Sequence, residues 1–334
     1  MKYPVANHIY IAIRRGPMRA PESGTEVFDA LDLTGTGSTV VRAGVGFAPD
    51  LIINRAHAND QTWWVDKVRG RAVALGASNT NAETSPSSAT QDMVSFDNDG
   101  VTLGTPNFTG FNNNGSLEIN WLFRRAPGFF DVVAYTGDGV AGRTVPHNLG
   151  VAPELVIVKN RSDALRWCVF HQGAHPTAPE QYFLSLDRTS AASQNNTAWN
   201  DTAPTESVFT VGTGTFVNAS GNNFIAYLFA TLPGVSKVGS YTGNGSSQTI
   251  NCGFTSGARF ILIKRTDSTG DWYVWDTERG IVTGNDPHMS LNTTTAEVTT
   301  NDSIDPDSSG FIVNQVAATN VNVSSASYIF YAVA

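Results

Sequence analysis

Apolar residues make up 41% of this 334-residue chain, enough for sizeable cores, while charged residues at 15% fall well below the usual quarter. The net charge is −8 and no basic cluster goes beyond Arg14-Arg15 and Arg124-Arg125, which disfavours a nucleic-acid binder. The two cysteines, Cys168 and Cys252, read as free thiols, and neither a signal peptide nor a membrane-length apolar stretch stands in the sequence.

The chain is expected to open with an amino-terminal arm, residues 1–27. Within it, Ile9-Tyr10-Ile11-Ala12-Ile13-Arg14-Arg15 resembles the strand that ends each later block, seen as Ile119-Asn120-Trp121-Leu122-Phe123-Arg124-Arg125. That closing strand returns as Ile225-Ala226-Tyr227-Leu228-Phe229 and as Ile329-Phe330-Tyr331-Ala332-Val333. Openings number three: Tyr135-Thr136-Gly137-Asp138-Gly139, Tyr241-Thr242-Gly243-Asn244-Gly245 and the weaker Leu33-Thr34-Gly35-Thr36-Gly37. The closing strand at residues 7–15 is therefore an orphan, expected to pair with another chain or with the first block, or to be left over from a longer repeat array.

Spacing fixes the blocks. From Thr34 to Thr136 is 102 residues and from Thr136 to Thr242 is 106, giving β repeats at 28–126, 127–232 and 233–334. Pro127-Gly128 and Pro233-Gly234 punctuate the two junctions. Short apolar runs bounded by turn residues, with no amphipathic helix, predict an all-β chain of three tandem antiparallel sandwich or jelly-roll-like modules. Separate small sandwiches in series are the first expectation, and one closed propeller-like body the second. The unbroken run Leu155–Val158 predicts a strand covered on both faces.

Several motifs invite chemical readings. Gly137-Asp138-Gly139-Val140-Ala141-Gly142 fits G-x-G-x-x-G, but Pro146 follows and no helix does, so it reads as a turn. His171 and His175 have metal-ligand spacing without a helix to present them, and read as a loop pair. Asp305-Pro306-Asp307-Ser308-Ser309-Gly310 starts like a calcium loop but has Val316 where the bidentate Glu belongs. It reads as a hairpin turn, as does Asp97-Asn98-Asp99-Gly100. Neither a metal nor a cofactor is therefore expected. Trp63, Trp167 and Trp272 recur once per block, each with Val two residues on, and read as core. Trp64, Trp121, Trp199 and Trp275 are less regular; Trp121 and Trp199 are the candidate ligand contacts, for a glycan. Asp66 with Arg69, and Asp276 with Arg279, read as exposed ion pairs of little energetic weight. No catalytic constellation recurs.

The string Y-T-G-x-G, then L-G-x-A-P-x-L-x-x-x-K-x-R, then W-x-V-F, resembles a repeat module of bacteriophage tail and fibre virion proteins. Block 2 carries it most fully, through Tyr135-Thr136-Gly137, Pro146-His147-Asn148-Leu149-Gly150, Ala152-Pro153 and Lys159-Asn160-Arg161. Block 3 keeps Lys264-Arg265, while block 1 lacks the aromatic opener and the Lys. The resemblance implies a virion structural role with no catalytic residues to carry over. The chain is expected to be a non-enzymatic tail-fibre, tail-tip or head-fibre component that assembles with other virion proteins and is displayed toward the host surface. Its orphan strand is expected to make it a homo-oligomer, and host-surface glycan is a candidate further partner. A lectin-like receptor-binding protein and a polysaccharide depolymerase are the alternatives.

Overall fold

Alternation along the strands builds this molecule, because side chains at successive positions leave a sheet on opposite faces. In the third strand of module 2, Leu155 and Ile157 enter one core while Val156 and Val158 enter another. The computed structural model describes residues 19–84, 88 and 90–334. The arm's closing-strand-like segment, residues 7–15, lies outside them.

Each module is a sandwich of two antiparallel sheets. In the larger sheet the seven-residue opening strands (Phe28–Thr34, Phe130–Thr136, Ser236–Thr242) pair along their whole length with the closing strands (Leu117–Phe123, Asn223–Phe229, Ser327–Val333). The closing strand is flanked on its other side by the third strand (Leu51–Ala56, Leu155–Asn160, Phe260–Arg265). That strand pairs in turn with a tryptophan-bearing strand (Trp63–Asp66, Trp167–His171, Trp272–Asp276). A smaller sheet packs on the outer face, made of Val40–Ala43 with Gly100–Leu103 and Met93–Asp97 in module 1. Helix among the described residues is confined to single turns such as Asn196–Trp199 and Thr215–Asn218. The chain is all-β with sandwich modules, as its strand spacing predicts.

The modules are not separate bodies. Inner-face residues of all three large sheets belong to one continuous core, which includes Phe123, Phe229, Phe260 and Tyr331. Ring centroids close a circuit: 5.9 Å from Phe123 to Phe229, 4.9 Å on to Tyr331, 6.2 Å on to Phe260 and 5.8 Å back to Phe123. A sheet apolar on both faces needs two covers. Its own small sheet supplies one and the other two modules supply the second, so sandwiches in series would leave one face wet. The expected sandwich modules are present, but they share one core instead of standing as separate bodies, and they are not propeller blades.

The Thr-Gly-x-Gly openings are turns held by a buried asparagine that stands about eighty residues further on. The Asn218 side-chain oxygen accepts from Asp138 N at 3.0 Å, and its amide donates to the carbonyls of Val140 (2.9 Å) and Gly212 (3.0 Å). Asn112 and Asn322 take the same role in modules 1 and 3. A Cβ on Gly137 would stand 2.1 Å from the Ala219 carbonyl oxygen, and Gly139 has φ +76°, so both glycines are required. Asp305–Gly310 is likewise a hairpin turn: Asp307 Oδ1 accepts from Ser309 N at 2.8 Å.

Module 1 is entered through a short 3-10 turn, Gly24–Glu26. The Val27 carbonyl then accepts from Arg124 N, as Phe129 accepts from Ala230 N and Val235 from Ala334 N. Gly24 sits so close to the end of module 3 that a Cβ there would lie 2.0 Å from the Ala334 carbonyl oxygen. First and last modules therefore abut.

Candidate functional site

The tryptophans identify where the distinctive side chains go. All seven are buried, so the two candidate glycan contacts fail: Trp121 is 0% exposed in the shared core and Trp199 is 2% exposed in the core of module 2. Neither ring reaches solvent to stack on a sugar. Strand register corrects a further expectation. Trp167 stands opposite Lys159 and Trp272 opposite Lys264, but Trp63 stands opposite Asn54, one place along. The true counterpart in module 1 is Thr62, and the counterpart of the two lysines is Arg55. Module 1 thus keeps a cation where the sequence comparison finds the Lys lost.

These positions form the seams between modules. From module 2 to module 1, Trp167 Nε1 donates to the Gly76 carbonyl at 2.9 Å and Lys159 Nζ to the Thr80 carbonyl at 3.1 Å. From module 3 to module 2, Trp272 Nε1 donates to the Ser185 carbonyl at 2.9 Å and Lys264 Nζ to the Thr189 carbonyl at 2.9 Å. From module 1 to module 3 the tryptophan is missing, and Arg55 does both jobs. Its guanidinium donates to Thr62 Oγ1 at 3.0 Å and to the carbonyls of Ser290, Thr293 and Thr295. Gly76, Ser185 and Ser290 are equivalent in strand register, so one carbonyl is met in three seams by two chemistries. The same surfaces join head to tail around the body, the geometry of a heterologous interface that closes on itself.

Burial disfavours the charged form of these cations. It lowers Lys159 and Lys264 to about 8 and Arg55 to about 10, the last aided by repulsion from Arg279. All three are still charged at neutral pH, and carbonyl oxygens supply their partners.

A second set of groups runs along two seams. Asp66 pairs with Arg69 and accepts from Tyr227 Oη of module 2 at 2.9 Å; Arg69 reaches Glu83 at 3.1 Å, which Arg161 of module 2 meets at 2.8 Å. Asp276 pairs with Arg279 at 2.7 Å and accepts from Trp121 Nε1 of module 1 at 2.9 Å; Arg279 reaches Glu297 at 3.2 Å, and Glu297 meets His57 at 3.0 Å. Read as exposed pairs, both turn out buried and shared between modules. In the third seam His171 replaces the Asp and Ala174 the Arg. His171 Nε2 lies 3.2 Å from the Phe330 carbonyl, and burial pushes its pKa down to about 4. His175 instead stacks on Tyr182 with centroids 4.5 Å apart, so the two histidines have separate roles. Among the described residues no three His, Cys, Asp or Glu side chains are placed to hold a metal ion. Both cysteines are free and buried.

His57 gives the seam between modules 1 and 3 a pH dependence. Burial alone would lower its pKa, but Asp32 at 2.8 Å and Glu297 at 3.0 Å outweigh that and hold it at about 9. The folded value exceeds the ordinary 6.5, so the stabilisation is complete below pH 6.5 and is lost as pH rises through 9. Between pH 6.5 and 8, the urea stability of the wild type is expected to fall by about 1–2 kcal/mol relative to that of His57→Gln, allowing for solvent screening. An equal slope in the variant would show that His57 is not its source.

On the outer surface of module 1 lies a cleft of about 360 Å³ between the end of the large sheet and the 97–100 hairpin, lined by Asp50, Lys67, Asn98, Arg124 and Arg125. Sequence reasoning picked out Arg124-Arg125 as a basic pair but had no means of placing Lys67 beside it.

Seams and shared core together define a closed, three-module all-β protein. Residues 23–334 match the model of a domain of unknown function (DUF7483), and the chain belongs to that family. No curated protein matches it.

Proposed function

We propose that this protein is a non-enzymatic bacteriophage virion component, of a tail fibre, tail tip or head fibre, that assembles with other virion proteins and faces the host surface. Its likeness to phage repeat modules supports the reading. The observation that carries it is where the repeat's signature residues go. Tyr135, Gly137 and Gly139 make the opening turn, and Lys159 and Trp167 join module 2 to module 1. A signature used for turns and joints suits a rigid building block better than a reaction centre. In this reading the arm supplies the contact with other copies of the chain.

Two measurements test the reading. Antibody to the chain should label purified particles, and light scattering should find an oligomer that becomes monomeric when residues 1–20 are removed. Label confined to the infected-cell lysate would overturn the virion role, and an unchanged mass would overturn the role of the arm. The module 1 cleft favours one second reading, a receptor-binding protein for carbohydrate.

A further inference from the structure

We propose that the module 1 cleft binds an acidic saccharide, one carrying carboxylate or sulfate groups. The proposal deepens the attachment half of the reading above. The cleft's volume of about 360 Å³ is in the range of small-ligand sites. Two of its charged groups are committed: Arg125 pairs with Asp131, and the Asp50 carboxylate accepts from Arg125 N at 2.8 Å. Lys67 and Arg124 have no ion-pair partner among the described residues.

The repeats provide an internal comparison. Lys67 follows Asp66, and its counterparts are Gln172 and Thr277; Arg124 follows the closing strand, and its counterparts are Ala230 and Ala334. The matching cleft of module 3, about 290 Å³, is lined by Ser256, Thr277, Ile281 and Asp307 and contains no cation. The same fold stands three times, twice without these charges, so folding does not require them. Three cations, Lys67, Arg124 and Arg125, line the cleft against one carboxylate, Asp50, so its balance of charge favours an anion. In a chain of net charge −8 their placement is local, which argues against the long polyanion of a nucleic acid. The Arg124 guanidinium offers a planar fork suited to carboxylate or sulfate, Lys67 a second positive charge, and the Asn98 amide a partner for sugar hydroxyls.

The test is calorimetric titration of the purified full chain at low ionic strength with a heparin-derived hexasaccharide, an oligogalacturonate hexamer and neutral maltohexaose. One or both acidic sugars should bind with one site per chain and maltohexaose should not; which acidic sugar binds tells sulfate from carboxylate. Lys67→Ala with Arg124→Ala should weaken binding at least tenfold with the thermal transition unchanged. Arg188→Ala, on exposed surface of module 2, should leave it intact. No binding of either acidic sugar, or an equal loss in Arg188→Ala, overturns the proposal. Such a result would not bear on whether the chain is carried on a particle.

Discussion

Replacing Asp276 by alanine is expected to lower folding stability by about 3–5 kcal/mol, the cost of leaving a buried charge without its partner. Asp276 and Arg279 are both buried, and the carboxylate takes three hydrogen bonds: from Arg279 N at 2.9 Å, Arg279 Nε at 2.7 Å and Trp121 Nε1 at 2.9 Å. Truncation leaves the buried guanidinium only Glu297 and the Val274 carbonyl, and strands an indole N–H from another module. Asp276→Asn keeps one acceptor but removes the charge, and is expected to fall between wild type and Asp276→Ala. Urea unfolding followed by far-UV circular dichroism measures both. A loss below about 1 kcal/mol for the alanine variant would mean the pair behaves as an exposed one and that the seam opens to water.

Arg55→Ala is expected to cost a similar amount, about 3–5 kcal/mol, because the carbonyls of Ser290, Thr293 and Thr295 lose their donor together. The more telling variant exchanges one seam's chemistry for that of the other two. Arg55→Lys alone shortens the donor, and Thr62→Trp alone crowds the guanidinium. Together they recreate the pairing of Lys159 with Trp167 and of Lys264 with Trp272. The double variant is therefore expected to be at least about 1 kcal/mol more stable than the sum of the single losses predicts. Strict additivity would show that the three seams are not interchangeable and that Arg55 and Thr62 act independently.

Much of the fold was legible because it is written in local pattern. Openings ending in Thr-Gly-x-Gly mark tight turns, and uninterrupted runs such as Leu155–Val158 mark strands covered on both faces. What covered the second face was not legible. The partners of Arg69 and Arg55 stand far along the chain, Tyr227 at 158 residues and Thr295 at 240. No window of sequence holds both ends of such a contact. The buried asparagines were missed for the same reason: Asn218 is 80 residues from the turn it holds. Trp63 misled in another way. Its match to Trp167 and Trp272 is a likeness of neighbouring letters, whereas a shift of one residue in a strand moves a side chain to the opposite face. A cation with Thr62 does in module 1 what a lysine with tryptophan does elsewhere, so likeness of residue type concealed likeness of place. For Trp121 and Trp199, irregular spacing suggested exposure, yet each fills a core.

The abutment of Gly24 with Ala334 and the reach of Arg55 to Thr295 have a consequence for how the chain is made. A ribosome delivers modules 1 and 2 first, and the seam between them needs nothing further. Arg55 emerges early, but its carbonyl partners are synthesised 235 to 240 residues later. Throughout that interval the nascent chain carries a bare guanidinium beside an uncovered apolar sheet face. The closing strand of module 3, Ser327–Val333, then adds Ile329, Tyr331 and Val333 to the shared core. Closure of the body thus waits for module 3, and a product stopped at residue 232 leaves two open seams.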